Sequence, residues 1–195
     1  MKADRDKWEA RYQAGERVHD GPPSALLARW VPALARGRAL DVATGLGRNA
    51  LFLARAGYRV EAIDISPTCL REARRRARRA GLRVHWVEAD LDTFPLAKER
   101  YDVVVNAFFL KRSLFPALQA AVKPGGIMIV EGHLWGAEDD GGPRGLRHRL
   151  RPGELRRRFR GWEILELEEG VFTEGGRPRP LARIAARRPL RRGRR

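Results

Sequence analysis

Asp41, Asp64 and Asp90 each stand in or just beyond an apolar run that reads as a strand, and the turn Gly45-Leu46-Gly47 follows the first of them. A carboxylate in a buried strand is unfavourable unless something satisfies it. A glycine-rich turn between strand and helix lets a ligand come close to the backbone and leaves N–H groups free at the helix start. Three acidic strand ends along one edge of a parallel sheet are what is needed to hold a nucleoside with a charged tail. Asp64 suits both ribose hydroxyls. Asp90 suits the exocyclic amine of the base, with Leu91 packing beside it. Asp41, four residues before Gly45, suits an ammonium. Taken singly, each aspartate reads equally as a turn or cap residue; the argument for a site comes from three in succession.

The stretch Gly45-Leu-Gly-Arg-Asn-Ala50 also fits the G-x-G-x-x-A pattern of dinucleotide-dependent oxidoreductases. A nicotinamide cofactor has no ammonium to set against Asp41. S-adenosylmethionine has one, so the surroundings of the turn favour it.

The elements that must position these residues are legible in outline. Trp8, Tyr12 and Val18 among many charges suggest a short amphipathic helix over residues 3–18, broken by His19-Asp-Gly-Pro-Pro23. Ser24 caps a second helix with Leu26, Leu27, Trp30, Val31 and Leu34 on one face, ended by Gly37. Strands are expected over about 38–43, 58–63, 82–88, 101–106 and 127–131. Helices are expected over 49–55, from the Ser66-Pro67 start to about Ala80, and over 111–122. This alternation argues for a parallel sheet covered on both faces. Lys123-Pro-Gly-Gly126 precedes the fifth strand. Residues 134–151 read as a long loop, 152–159 as a short helix, and 163–169 with 180–187 as a closing antiparallel hairpin with a long Gly-rich connection. The fold class is therefore α/β, a Rossmann-like, doubly wound, mostly parallel seven-stranded sheet with an antiparallel C-terminal hairpin and helices on both faces. The expected division is a helical lid (1–36), the main domain (37–188) and a disordered basic tail (189–195).

At 195 residues and 43% apolar content the chain can bury a core. It has no apolar run of membrane-span length and no signal-peptide segment at its start, and the lone Cys69 excludes an intrachain disulfide. A cytoplasmic protein is the expectation. Cys69 is read as a small half-buried residue without nucleophilic role. The net charge of +16 comes mostly from arginine, since only five lysines occur. Charge bears on partners and solubility, and solvated basic faces explain it as well as an anionic partner does.

The residues 41–47 (Asp-Val-Ala-Thr-Gly-Leu-Gly), Asp64, Asp90, Tyr-Asp-Val-Val-Val (101–105) and Lys-Pro-Gly-Gly (123–126) resemble the class I S-adenosylmethionine-dependent methyltransferases over about residues 5–188. Within that class the chain is most similar to the tellurite-resistance (TehB-like) methyltransferases. The segments that carry this are Gly-Arg-Asn-Ala (47–50), Trp8, Tyr12 and His19, and Pro152 to Phe159 with Gly161-Trp162. The family pattern has glycine where Ala43 stands. Asn106-Ala-Phe-Phe109 departs from the box of enzymes that methylate amino groups of bases or glutamine.

The resemblance implies S-adenosyl-L-methionine as methyl donor and S-adenosyl-L-homocysteine as product. It places cofactor contacts at Trp8, Tyr12, Asp41, Ala43, Gly45, Gly47, Arg48, Asn49, Asp64, Ile65, Asp90, Leu91 and Asn106, with Trp8 and Tyr12 closing over the ligand, and no metal. Methyl transfer demands collinear nucleophile, methyl carbon and sulfur, so positioning can carry most of the rate and a lone-pair anion or thiolate needs no base. His19, Asn106 and His133 are the acceptor-pocket candidates, with Phe108 and Phe109 as core or pocket. His133 also reads as a hydrogen-bonded loop residue. Lacking a large insertion, the chain suits a small acceptor. Arg144, Arg147, Arg149 and Arg151 flank the expected mouth and could draw in a small anion, either a chalcogen oxyanion or a carboxylated metabolite. The rival reading is an RNA methyltransferase using the basic surface; no RNA-binding module is visible. A nicotinamide-dependent oxidoreductase is a third. The acceptor and the state, monomer or homodimer, stay open.

Overall fold

The computed structural model describes residues 2–16, 20–136, 143, 145–174 and 177–191. The chain forms two compact units, residues 1–97 and 98–195.

The first unit opens with α1 (Lys2–Gln13) and α2 (Ala25–Trp30), then alternates β1 (Arg38–Val42), α3 (Arg48–Arg55), β2 (Arg59–Asp64), α4 (Pro67–Arg79) and β3 (Val84–Glu88). Its strands run parallel in the order β3-β2-β1. Ala39, Leu40, Asp41 and Val42 are all buried, as expected of a strand covered on both faces. Ser24 caps α2 through its side chain, but the helix stops at Trp30 and tightens into a 3₁₀ turn over Val31–Ala33. Pro32, with no N–H to give, is the reason the expected longer helix does not form. Likewise α1 ends at Gln13, since Gly15 takes a left-handed conformation; Val18 lies outside the described residues.

In α4, Ser66 accepts from the Cys69 N–H and Pro67 occupies the first turn, as the sequence predicts. Leu70, Ala73 and Ala77 form the buried stripe, while Ala80 is exposed because the helix has already ended there. Cys69 is fully buried rather than half-buried. Its Sγ donates to the Ser66 carbonyl at 3.2 Å, and burial pushes its thiol up, which suits an inert role.

The second unit contains β4 (Tyr101–Ala107), α5 (Phe115–Ala121), β5 (Val122–His133), α6 (Glu154–Arg158), β6 (Glu163–Glu174) and β7 (Arg177–Arg187). Its strand order is β4-β5-β7-β6, parallel between β4 and β5 and antiparallel beyond. Lys-Pro-Gly-Gly (123–126) lies within β5 instead of before it, with Lys123 Nζ 2.9 Å from both Asp102 carboxylate oxygens. The terminal hairpin is longer than expected. Its strands reach Glu174 and start again at Arg177, so most of the expected long connection is strand. Glu131 and Arg183 face each other across β5 and β7 as a buried ion pair at 2.5 Å. The seven strands and their antiparallel C-terminal hairpin match the expected class. Among the described residues no helix is long and apolar enough to cross a membrane.

Candidate cofactor and acceptor site

The two ends of the glycine turn are tied to the first two aspartates. Asp41 is 1% exposed, and its Oδ2 accepts from Thr44 Oγ1 at 2.5 Å and from the Ala50 N–H at 3.0 Å. Burial pushes its carboxyl up to about 6, against the pull of those two donors and of Arg48. Asp64 is also buried. Its Oδ2 accepts from the Gly45 N–H at 2.8 Å and its Oδ1 from the Ser66 N–H at 3.0 Å. Burial raises this carboxyl too, opposed by the same amides.

Strand register sets the aspartates out as a stair. Asp41 pairs with Ala62, two residues before Asp64; Asp64 pairs with Glu88, two residues before Asp90. With side chains alternating along strands, a step of two keeps the positions on one face. Asp90 lies past the end of β3 and builds a turn. Its Oδ1 accepts from the Asp92 N–H at 3.0 Å, and its carbonyl from Thr93 and Phe94. Leu91 beside it is buried and Ile65 half-buried.

Gly45 (φ +54) and Gly47 (φ +82) occupy backbone conformations that L side chains rarely adopt. Close neighbours add to the demand: a Cβ on Gly45 would lie 2.9 Å from the Tyr12 hydroxyl oxygen, and one on Gly47 would lie 2.8 Å from the Trp86 ring. Ala43 shares the left-handed region at φ +51, a conformation that glycine takes without strain and alanine does not. Arg48 and Asn49, in the first turn of α3, face the segment before α2: Asn49 Oδ1 accepts from the Ser24 N–H and Arg48 donates to the Pro22 carbonyl.

Tyr12 comes to the turn because α1 is latched onto α4. Glu9 accepts from Ser66 Oγ at 2.6 Å, from the Thr68 N–H at 3.2 Å and from Thr68 Oγ1. Burial works to raise the Glu9 carboxyl, but these donors outweigh it and hold it below its usual range. Arg5 meets Glu88 at 2.7 Å. Tyr12 packs with Trp86 against Leu46, Cys69 and Leu70. Trp8 stands beside it, ring centroids 6.3 Å apart, with the Arg11 guanidinium over the Trp8 face. Burial and the Asp64 charge push the Tyr12 phenol up. The Glu9 latch was not singled out in the sequence; the only signal for it is an acid on the expected lid helix.

In the second unit Asn106 is 1% exposed at the end of β4, and its Oδ1 has no hydrogen-bond partner among the described residues. Phe108 is held at φ +62, its N–H donating to the Glu131 carbonyl at 2.7 Å. A bulky residue in that conformation is strained, and such strain collects at functional positions. The Phe108 ring lies 5.1 Å from the buried His133 ring, so β4 and β5 bring Phe108 and His133 together. His19 and Arg144 lie outside the described residues. Arg149 is not free for a ligand: it is 4% exposed and donates to the Pro143 and Leu134 carbonyls. Arg147 and Arg151 instead line a cavity with Arg112, Glu154, Arg157 and Arg158, partners the sequence reading missed. Among the described residues no group of three or more His, Cys, Asp or Glu could hold a metal.

Residues 39–126 match a family model described as a methyltransferase domain. A malonyl-[acyl-carrier protein] O-methyltransferase of Enterobacter lignolyticus is 32% identical over 122 residues, 60% of this chain and 47% of that protein. The chain spans between a quarter and about half the length of the curated relatives it matches. Two solved structures share its fold. TehB from Haemophilus influenzae superposes with a TM-score of 0.71 at 22% identity, covering 83% of this chain and 61% of that one. A Burkholderia thailandensis 1,6-didemethyltoxoflavin-N1-methyltransferase gives 0.72 at 18% identity, covering 95% and 87%. The family model covers residues 39–126, a little under half of the chain, and both solved structures share the arrangement of strands and helices described above.

Proposed function

We propose that the chain transfers a methyl group from S-adenosylmethionine to a small acceptor, an anion or a thiol or chalcogen, by in-line displacement, in the cytoplasm. The observation that carries the reading is the paired anchoring of the glycine turn, with Thr44 and Ala50 on Asp41 and Gly45 on Asp64.

The residues fit the cofactor. Both hydrogen bonds to Asp41 fall on Oδ2, and a carboxylate raised to about 6 by burial gains from a neighbouring ammonium. Asp64 has acceptor capacity beyond its two amides, since each carboxylate oxygen has more than one lone-pair site. Asp41 would hold the amino-acid end, Asp64 the sugar, and Asp90 with Leu91 the base. Bound, the cofactor supplies a methyl group on a sulfonium sulfur. Tyr12 excludes water from the turn, and Trp8 backs it. Asn106 Oδ1, buried and without a partner among the described residues, is an acceptor for a donor group of the substrate. The strained backbone at Phe108 fixes that ring against His133, which orients the acceptor or takes its proton. The relative bound to S-adenosylhomocysteine supports the choice of cofactor.

Isothermal titration with S-adenosylhomocysteine, followed by transfer assays from labelled S-adenosylmethionine to tellurite, selenite and small thiols, tests the reading. Saturable binding and label in one of those acceptors support it. Absence of binding overturns it; binding with label only in RNA replaces the small acceptor with a nucleic acid.

A further inference from the structure

The cavity of about 510 Å³ in the second unit is lined by Arg112, Leu146, Arg147, Arg151, Glu154, Arg157 and Arg158. Five arginines around one carboxylate cannot be mutually neutral. Glu154, 6% exposed, takes Arg112 at 2.8 Å and Arg158 at 2.9 Å, as well as the Arg151 N–H. Burial works to raise the Glu154 carboxyl, yet these donors hold it at about 2. That leaves the side chains of Arg147, Arg151 and Arg157. Arg147 donates to His148 Nε2 and Arg157 to the Pro152 carbonyl, both neutral acceptors. None of the three faces an anion among the described residues.

The walls are held in place without a ligand. Arg112 donates to the carbonyls of Leu146, Arg147 and Arg149, pinning the segment that carries Arg147 to α6. Arg158 lies over the Phe115 ring at 4.5 Å. Guanidiniums are rigid forks matched to phosphate and carboxylate oxygens, and preorganised ones lose little freedom on binding. The volume lies in the usual range for small-molecule sites and is far larger than one oxyanion needs. Leu146, 42% exposed on the lining, offers an apolar surface.

We propose that this cavity is a binding site for a small organic molecule bearing a diphosphate, held by Arg147, Arg151 and Arg157. Three guanidiniums in one cavity that face no carboxylate among the described residues call for compact multiple negative charge, and a phosphate anhydride concentrates it more than separated carboxylates do. The site is built within the second unit and does not depend on the cofactor reading.

The test is titration of the full chain with ADP and pyrophosphate, with citrate and a short single-stranded RNA as comparisons. Two variants of equal charge are compared, Arg147→Ala with Arg157→Ala, and Arg78→Ala with Arg79→Ala on α4. Saturable one-to-one binding of ADP, weakened at least tenfold by the first pair and unchanged by the second, is expected. Equal weakening by both pairs, no saturation, citrate binding as tight as ADP, or RNA binding that ADP does not displace would overturn it. Arg151→Ala alone gives the same reading should the first pair fail to fold. S-adenosylhomocysteine affinity, measured alongside, separates a failure here from a failure of the proposed activity.

Discussion

The Gly45 amide donates to Asp64 Oδ2 at 2.8 Å, joining the turn after β1 to the end of β2 across nineteen residues of chain. The same carboxylate takes the Ser66 amide that begins α4. One side chain therefore sets both the turn and the helix start, in addition to any ligand role.

Asp64→Ala should leave two buried N–H groups without acceptors, at about 1–3 kcal/mol each. The melting temperature should fall and S-adenosylhomocysteine binding should be lost by calorimetry. Asp64→Asn keeps one acceptor oxygen and should retain more stability than affinity. Equal affinity in all three proteins would show that Asp64 supports the turn alone.

Burial of Asp41 should make both folding stability and ligand affinity depend on pH. Its folded-state value is raised from an ordinary 3.8 to about 6. A raised carboxyl favours folding below about pH 4, and that contribution, about 3 kcal/mol, is lost as pH rises through 6. The ligand-free protein should thus lose stability from this group over that window, while affinity for the ammonium of S-adenosylhomocysteine should rise, roughly tenfold from pH 5 to 7.5. Asp41→Asn should flatten both curves and raise the ligand-free melting temperature at pH 7.5. A pH-independent affinity in the unmodified protein would rule this out.

Glu9 acts as a cap delivered from another helix, a carboxylate against the positive end of α4. A cap is worth about 1 kcal/mol, so Glu9→Ala should speed hydrogen exchange in α1 about fivefold, with β1 and β2 unchanged. It should also quicken dissociation of S-adenosylhomocysteine if Tyr12 covers the ligand. Unchanged exchange in residues 2–13 would mean that Arg5–Glu88 and the aromatic packing hold α1 by themselves.

Ala43 at φ +51 carries strain that glycine would not. Against this stands the greater freedom of glycine in the unfolded chain. The net expectation for Ala43→Gly is a gain of about 0.5 kcal/mol, read as a higher urea midpoint at constant m-value. A loss would show that the turn relies on the Ala43 methyl for packing.

Sequence alone determined the parallel αβ alternation, the Ser66-Pro67 helix start and the acidic strand ends. Hydrophobic period, caps and turn residues are local signals and need no knowledge of distant chain. It also put Gly45 and Gly47 in the turn between β1 and α3, because left-handed backbone restricts residue choice wherever it occurs. Tertiary structure decided everything that depends on which groups meet. Glu9 finds Thr68 fifty-nine residues away, Arg112 finds Glu154, and Arg149 is spent on buried carbonyls while Arg147 is not. The extent of the terminal hairpin was also beyond local reading, since long β6 and β7 are held by cross-strand pairing that composition does not encode. Partner choice among forty basic and twenty-four acidic side chains is a property of the folded geometry, so the anchored turn was visible early and the arginine cavity was not.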